Sequence, residues 1–239
     1  MNRDLKKVSV IVKVFGVVAM LVCFSADFAS ALEKISDAQV KAVTTMLSDV
    51  PQGVGRPISD RETWQRLAEC KAFKDVVRKA ERLLKTPIPE QPDDLYLEFS
   101  RNGNRSRWEH VAKERRMLVG IFTMAECLEN RGRFAPALAE IIRELCTERT
   151  WVIPAHDRKL DNFNGKEIDI DLGASSLGWE LATAYYLLGE KLGPESRQLV
   201  AENVRRRILA PFMDMVTGKR KANWWLTTRN NWNSVKATC

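Results

Sequence analysis

The chain has 239 residues, with 38 Lys+Arg against 31 Asp+Glu and a formal charge of +7 at pH 7. It is 45% hydrophobic and 29% charged, with 12 Gly and 9 Pro, which excludes disordered, collagen-like and low-complexity classes. Five Cys without zinc-finger spacing and only two His exclude a disulfide-dense scaffold and a histidine-rich metal centre, so no metal or cofactor is expected.

Arg3, Lys6 and Lys7 precede an apolar stretch from Val8 to Phe24, and Ala29-Ser30-Ala31 follows with the small-x-small pattern of a cleavage site. This order predicts a signal peptide over 1–31 and an exported, periplasmic or extracellular protein. The apolar run Val14–Phe24 is shorter than the roughly 20 residues a span needs, so no stable membrane insertion is expected after cleavage. Removing 1–31 leaves 34 Lys+Arg against 29 Asp+Glu, and export leaves that basic excess no nucleic acid as partner. Export permits disulfides, with Cys127 and Cys146 the tempting pair. If a helical hairpin turns near Gly132, however, position 138 lies opposite Cys127, and Cys146 is about 12 Å further along. Buried free thiols are therefore expected at Cys70, Cys127, Cys146 and Cys239.

Residues 32–55 read as an N-terminal helix and linker, with capping-box spacing at Ser36-x-x-Gln39. The same spacing recurs at Ser59-x-x-Glu62 and Ser106-x-x-Glu109. After Ser106, apolar residues at Trp108, Val111, Ala112, Leu118, Val119, Phe122 and Ala125 keep a helical period up to Asn130-Arg131-Gly132. Pro136 opens the next helix, with Leu138, Ile141, Ile142 and Leu145 on one face. A loop rich in Asp, Asn and Gly runs from Thr150 to Ile170. Asp171 then caps a helix whose inward face is predicted as Leu172, Trp179, Ala182, Tyr186 and Leu187, stopped by Gly189 and Gly193. Pro194 begins another, with Leu199, Val200, Val204 and Ile208 inward and Pro211 disturbing it.

No segment joins strand alternation to a hairpin turn, so the chain reads as all-α. Capped helices starting near Ser106, Asp171 and Asn230 are 65 and 59 residues apart, each interval holding one antiparallel helix pair. Successive pairs of this length suit a curved array or a closed (α/α) toroid.

Three clusters compete for function. Trp224, Trp225 and Trp232 crowd the C-terminal end among Asn223, Asn230, Asn231 and Asn233, where aromatic faces can stack on sugar and amides can bond hydroxyls. Trp108 and Trp179, on helix faces, are expected in the core. Arg205-Arg206-Arg207, Lys219-Arg220-Lys221 and the Arg101, Arg105, Arg107 group could attract an acidic polymer, or be ordinary solvated faces. In Trp151-Val152-Ile153-Pro154-Ala155-His156-Asp157 the neighbours His156 and Asp157 could act as base and orienting carboxylate, although adjacent residues rarely face each other. No phosphate loop, HExxH or GxSxG motif is present.

Three stretches together resemble a known family: "WVIPAHD" (151–157), "DLGASSLGWELATAYYLLGEKLG" (171–193) and "NWWLTTRNNWNSV" (223–235). They resemble the N-terminal helical domain of the heparinase II/III-like polysaccharide lyases over roughly Arg56 to Val235. The resemblance implies a helical toroid joined to a C-terminal β-sandwich, and β-elimination on acidic, uronate-containing polysaccharide. It implies that Asn231, or its neighbour Asn230, neutralises the uronate carboxylate, an amide donor aimed at charge that develops in the transition state. Trp232 stands where the commoner pattern has His. Trp224, Trp225, Trp232, Arg229 and His156 are the expected substrate-binding residues. Set against the family, residues 56–239 are a partial toroid without the β-sandwich and without the expected catalytic Tyr and His, so this chain alone is expected to be inactive. The alternative is a noncatalytic helical carbohydrate-binding module.

Overall fold

The computed structural model describes residues 36–47 and 53–221, and the chain divides into two compact units, Met1–Gln52 and Gly53–Cys239. The predicted signal peptide, Cys239 and the C-terminal candidates Trp224, Trp225, Arg229, Asn230, Asn231 and Trp232 all lie outside the described residues.

In the first unit α1 (Asp37–Met46) begins with the expected capping box. The Ser36 hydroxyl accepts from the Gln39 amide at 3.3 Å, and the Gln39 side chain accepts from the Ser36 amide at 2.8 Å. Two of the four N–H groups orphaned at a helix start are satisfied in this way.

The second unit is all-α, with no strand among the described residues. Its helices are α2 (Arg61–Glu69), α3 (Lys71–Leu83), α4 (Asp93–Asn102), α5 (Ser106–Glu129), α6 (Ala135–Thr147), α7 (Leu172–Leu188), α8 (Pro194–Val204) and α9 (Ala210–Val216). A single π-helical turn, Arg205–Leu209, leads into α9. Pro211 has no amide hydrogen to complete an α-helical ladder, and the Ala210 N–H reaches back five residues to the Arg205 carbonyl instead. The disturbance expected at Pro211 thus takes the form of one widened turn. None of the described helices is long and apolar enough to cross a membrane.

Two of the predicted caps are corrected. Asp60, not Ser59, caps α2, because its carboxylate accepts from both the Thr63 amide (3.2 Å) and the Thr63 hydroxyl (3.0 Å). Ser106 is the first residue inside α5 rather than its cap; the side chain of Asn104 takes the Ser106 amide at 3.1 Å.

Helix α5 is the hub, packed against α3, α6 and α7, while α7 packs on α8 and α6 on α8. The α5–α6 and α7–α8 pairs therefore stand side by side as a two-layer array. At the α5–α6 turn, Asn130 and Gly132 adopt positive φ (55° and 76°), and the buried Glu126 carboxylate accepts from Gly132 (2.6 Å) and Phe134 (3.1 Å). Arg61 closes the other side of that turn by donating to the carbonyls of Cys127 (2.7 Å) and Leu128 (3.1 Å).

In α6 the predicted stripe Leu138, Ile141, Ile142 and Leu145 is fully buried. Its last carbonyls are held by Arg207, itself buried and lying over Trp151 with its guanidinium carbon 4.9 Å from the ring centroid. Arg207 donates to the carbonyls of Glu148 (2.5 Å), Cys146 (3.3 Å) and Arg149 (3.3 Å). A cation here also opposes the negative end of the helix dipole. Cys127 and Cys146 are free and buried, and burial pushes their thiols up to about 12 and about 11. Cys70 departs from expectation: it sits at the α2–α3 junction and is exposed.

Helix α7 turns a different face inward from the one predicted. Ala174, Leu177, Leu181, Ala184 and Leu188 are buried, whereas Trp179 is 48% exposed and Leu172 38%. Ala182 is also exposed; of the predicted stripe only Leu187 is fully buried. The reason is close approach. A Cβ at Gly178 would sit 2.9 Å from Ile208, and one at Gly173 would lie 2.6 Å from Ile153 and 3.0 Å from the Trp151 carbonyl. Only the small-residue side of α7 can come this near to its neighbours.

Candidate functional site

The loop 151–171 carries the first stretch of the resemblance into the second. Asp171 is fully buried at the start of α7 and uses both oxygens. One accepts from the Ala174 amide at 2.8 Å, as an N-cap; the other accepts from the Ile153 amide at 2.9 Å and lies 2.9 Å from His156 Nδ1. A carboxylate oxygen accepts, so His156 Nδ1 is the donor in this contact. The His156 side chain is 30% exposed at this edge. A fixed, partly exposed imidazole backed by a buried carboxylate can accept a proton or a hydrogen bond from a ligand.

His156 and its sequence neighbour do not form the pair that adjacency suggests. Asp157 is buried and faces away, accepting from Tyr96 Oη (3.0 Å), the Phe163 amide (2.8 Å) and the Asn162 amide (3.1 Å). Burial and the Asp157 charge hold the Tyr96 phenol far above its usual range, so it stays protonated and donates. Asn162 continues the network to Asp169, donating at 2.8 Å and accepting the Asp169 amide at 2.7 Å. Tyr96 is wedged between Trp108, edge-on at 5.7 Å, and Phe163, stacked at 5.1 Å. Trp108 is thus a core residue as predicted, and Arg116 lies over it at 5.7 Å while donating to the carbonyls of Gly173 (3.1 Å) and Trp151 (3.2 Å). The loop is anchored from beneath by α4 and α5, with His156 half-buried on its edge and Arg158, Lys159 and residues 164–167 exposed.

A groove of about 870 Å³ lies on the other side of this aromatic wedge, between the 83–93 segment and the α5–α6 pair, with Tyr96, Trp108 and Phe163 in its lining. Its ionisable lining is Glu90, Asp93, Glu140, Glu144 and Glu148 against Lys85, Arg115 and Arg149. Buried Arg115 is already engaged by Glu144 (3.4 Å), Glu148 (3.3 Å) and the Pro89 carbonyl (2.7 Å). Desolvation pushes the Glu148 carboxyl up, opposed by the charges of Arg116, Arg115 and Arg207. With carboxylates in excess, this groove repels an anionic polymer.

The basic clusters are largely spent on the protein itself. Arg101 pairs with Asp94, Arg105 with Glu109 and Arg107 with Glu98. Arg207 is buried, Arg206 donates to Asn203 (2.9 Å), and Arg220 pairs with Glu167 and donates to the Ile168 carbonyl (3.2 Å). Among the described residues no group of three or more His, Cys, Asp or Glu is placed to hold a metal ion.

The residues that sequence reasoning missed here are Asp171 as partner of His156 and Tyr96 as partner of Asp157. The pairs are 15 and 61 positions apart, and nothing local marks them beyond the N-cap spacing of Asp171. When the chain is compared with known proteins, no family model and no curated protein matches it.

Proposed function

We propose that this chain is the helical, cleft-forming part of an exported polysaccharide lyase-like protein that acts on acidic, uronate-containing polysaccharide. One observation carries the reading. Of the three sequence stretches that resemble such lyases, two lie within the described residues, and they are joined by His156 against Asp171 at 2.9 Å. In this reading the two-layer array of helix pairs is a section of an (α/α) toroid. His156 holds a hydroxyl of the sugar at the start of α7, with Asp171 as its positioning residue. Asn231, with Asn230 beside it, neutralises the uronate carboxylate so that the neighbouring C–H proton can be removed. Because the charge clusters are mostly internally paired, affinity rests on these few directed contacts rather than on broad electrostatic attraction.

Titration calorimetry of the full chain against heparan, chondroitin and alginate oligosaccharides tests this. Binding is expected to at least one of them, and to be weakened several-fold by His156→Ala and by Asn231→Ala, with a neutral dextran inert. Release of unsaturated uronate, read by its ultraviolet absorbance, marks catalysis. Binding without that product supports the helical carbohydrate-binding module instead. Absence of binding to every uronate polymer overturns both.

A further inference from the structure

Helix α6 carries a row of carboxylates that the fold leaves short of positive charge. Glu140, Glu144 and the C-cap residue Glu148 recur at steps of four, and all three line the groove of about 870 Å³. Like charges one turn apart repel, and the last two also stand at the negative end of the helix dipole. Arg115 serves Glu144 and Glu148 together, at 3.4 and 3.3 Å. Glu140 finds no counter-charge among the described residues, and neither does Glu90 across the groove on the 83–93 segment. Five carboxylates against three cations give the lining a formal charge of −2.

The rest of the lining indicates what kind of cation the groove takes. Half-buried Leu83, Ile88, Pro89 and Ala137 give it an apolar share. Gln91 also lines it, and its Oε1 is shut off from solvent with no hydrogen-bond donor among the described residues. A buried acceptor in that state costs stability until a donor reaches it. A bare metal ion does not fit, because no three acidic groups among the described residues converge to hold one. The charges are strung out instead. Four residues rise about 6 Å along a helix, and amines joined by four methylenes in an extended chain stand about 6 Å apart too.

We propose that this groove binds a linear polyamine. Its ammonium groups lie on Glu90, Glu140 and Glu144, its methylenes cover Ile88, Pro89 and Ala137, and one N–H goes to Gln91 Oε1. The inference stands apart from the lyase reading, since it concerns the other side of the Tyr96, Trp108 and Phe163 wedge from His156 and a ligand of opposite charge.

Titration calorimetry of the full chain with spermidine tests this, with magnesium chloride at matched ionic strength and N-acetyl-trilysine amide, of equal charge, as the other arms. Spermidine is expected to bind one to one, and tighter than putrescine, which has one ammonium fewer. A Glu90→Gln, Glu140→Gln double variant should weaken spermidine by about tenfold, two exposed ion pairs at a few-fold each. Both carboxylates are exposed and unpaired, so the fold is not at stake. Glu62→Gln, exposed in the first turn of α2, should leave binding unchanged. Without ligand, Glu140→Gln should melt no lower than the wild type, because it relieves repulsion along α6. Undiminished binding in the double variant overturns the proposal, and so do equal heats from magnesium. Trilysine binding at least as tightly as spermidine overturns it as well, and makes a basic peptide the occupant.

Discussion

Helices α6 and α7 bury themselves in opposite ways. Helix α6 fills its share of the core with volume, presenting Leu138, Ile141, Ile142 and Leu145 inward and Glu140, Arg143 and Glu144 outward. Helix α7 gains its contacts by proximity. Gly173, Ala174, Gly178 and Ala184 face its neighbours, and its bulkiest side chain, Trp179, points away from the core. A volume-filling helix is damaged by losing atoms, and a close-approach helix by gaining them.

The largest effect is expected from deleting volume in α6. Leu145→Ala should cost about 2–5 kcal/mol in urea unfolding, the range for truncating a fully buried aliphatic residue. The same deletion at exposed Leu172 on α7 should cost about 1 kcal/mol or less. Equal losses at the two positions break the contrast. Next comes Arg207→Met, which strips the donor from the carbonyls of Cys146, Glu148 and Arg149 and should cost about 2–3 kcal/mol.

Adding one methyl sharpens the comparison from the other side. Gly173→Ala pushes a Cβ into Ile153 and the Trp151 carbonyl and should destabilise by about 1–2 kcal/mol. Gly120→Ala, mid-helix in α5 with nothing within 4 Å of the new Cβ, should stabilise by about 0.5–1 kcal/mol. Thermal melting of the two variants with opposite shifts is the expected result.

The smallest effect is one of pH. Burial raises the Glu180 carboxyl above its ordinary 4.5, opposed only by the Arg116 charge. A carboxyl raised in the folded state binds its proton more tightly there, so ionising it costs stability as pH climbs from about 4.5 through the raised value. Glu180→Gln escapes that cost. Its melting temperature should exceed the wild type's at neutral pH, and the advantage should vanish below about pH 4.5. A constant difference across that range sinks the assignment.

The inward stripe of α6 was legible residue by residue because that helix has one apolar and one charged side, and periodicity then allows a single orientation. Helix α7 is apolar around most of its circumference. The row through Leu172, Trp179, Ala182 and Tyr186 is as regular as the row that is buried, and ranking side chains by size selects the wrong one. Size is a poor guide where glycines set the distance between helices. The site was half legible. His156 stood out, and Asp171 stood out as a cap, but their contact spans a loop whose course is set by Asp157, Asn162 and Tyr96.

By itself, the sequence determined what is local: all-α character, the capping of α1 and α7, the turn at Gly132 and the buried stripe of α6. These rest on backbone conformations and on side chains at most four residues apart, and such interactions are encoded within one turn. Only the tertiary structure decided which face of α7 is buried, that Asp171 and not Asp157 orients His156, and that Arg207 holds the end of α6. Each of those depends on groups 15 to 61 positions apart meeting across packed elements. Distances of that kind follow from how closely whole helices approach one another, a quantity no single segment contains.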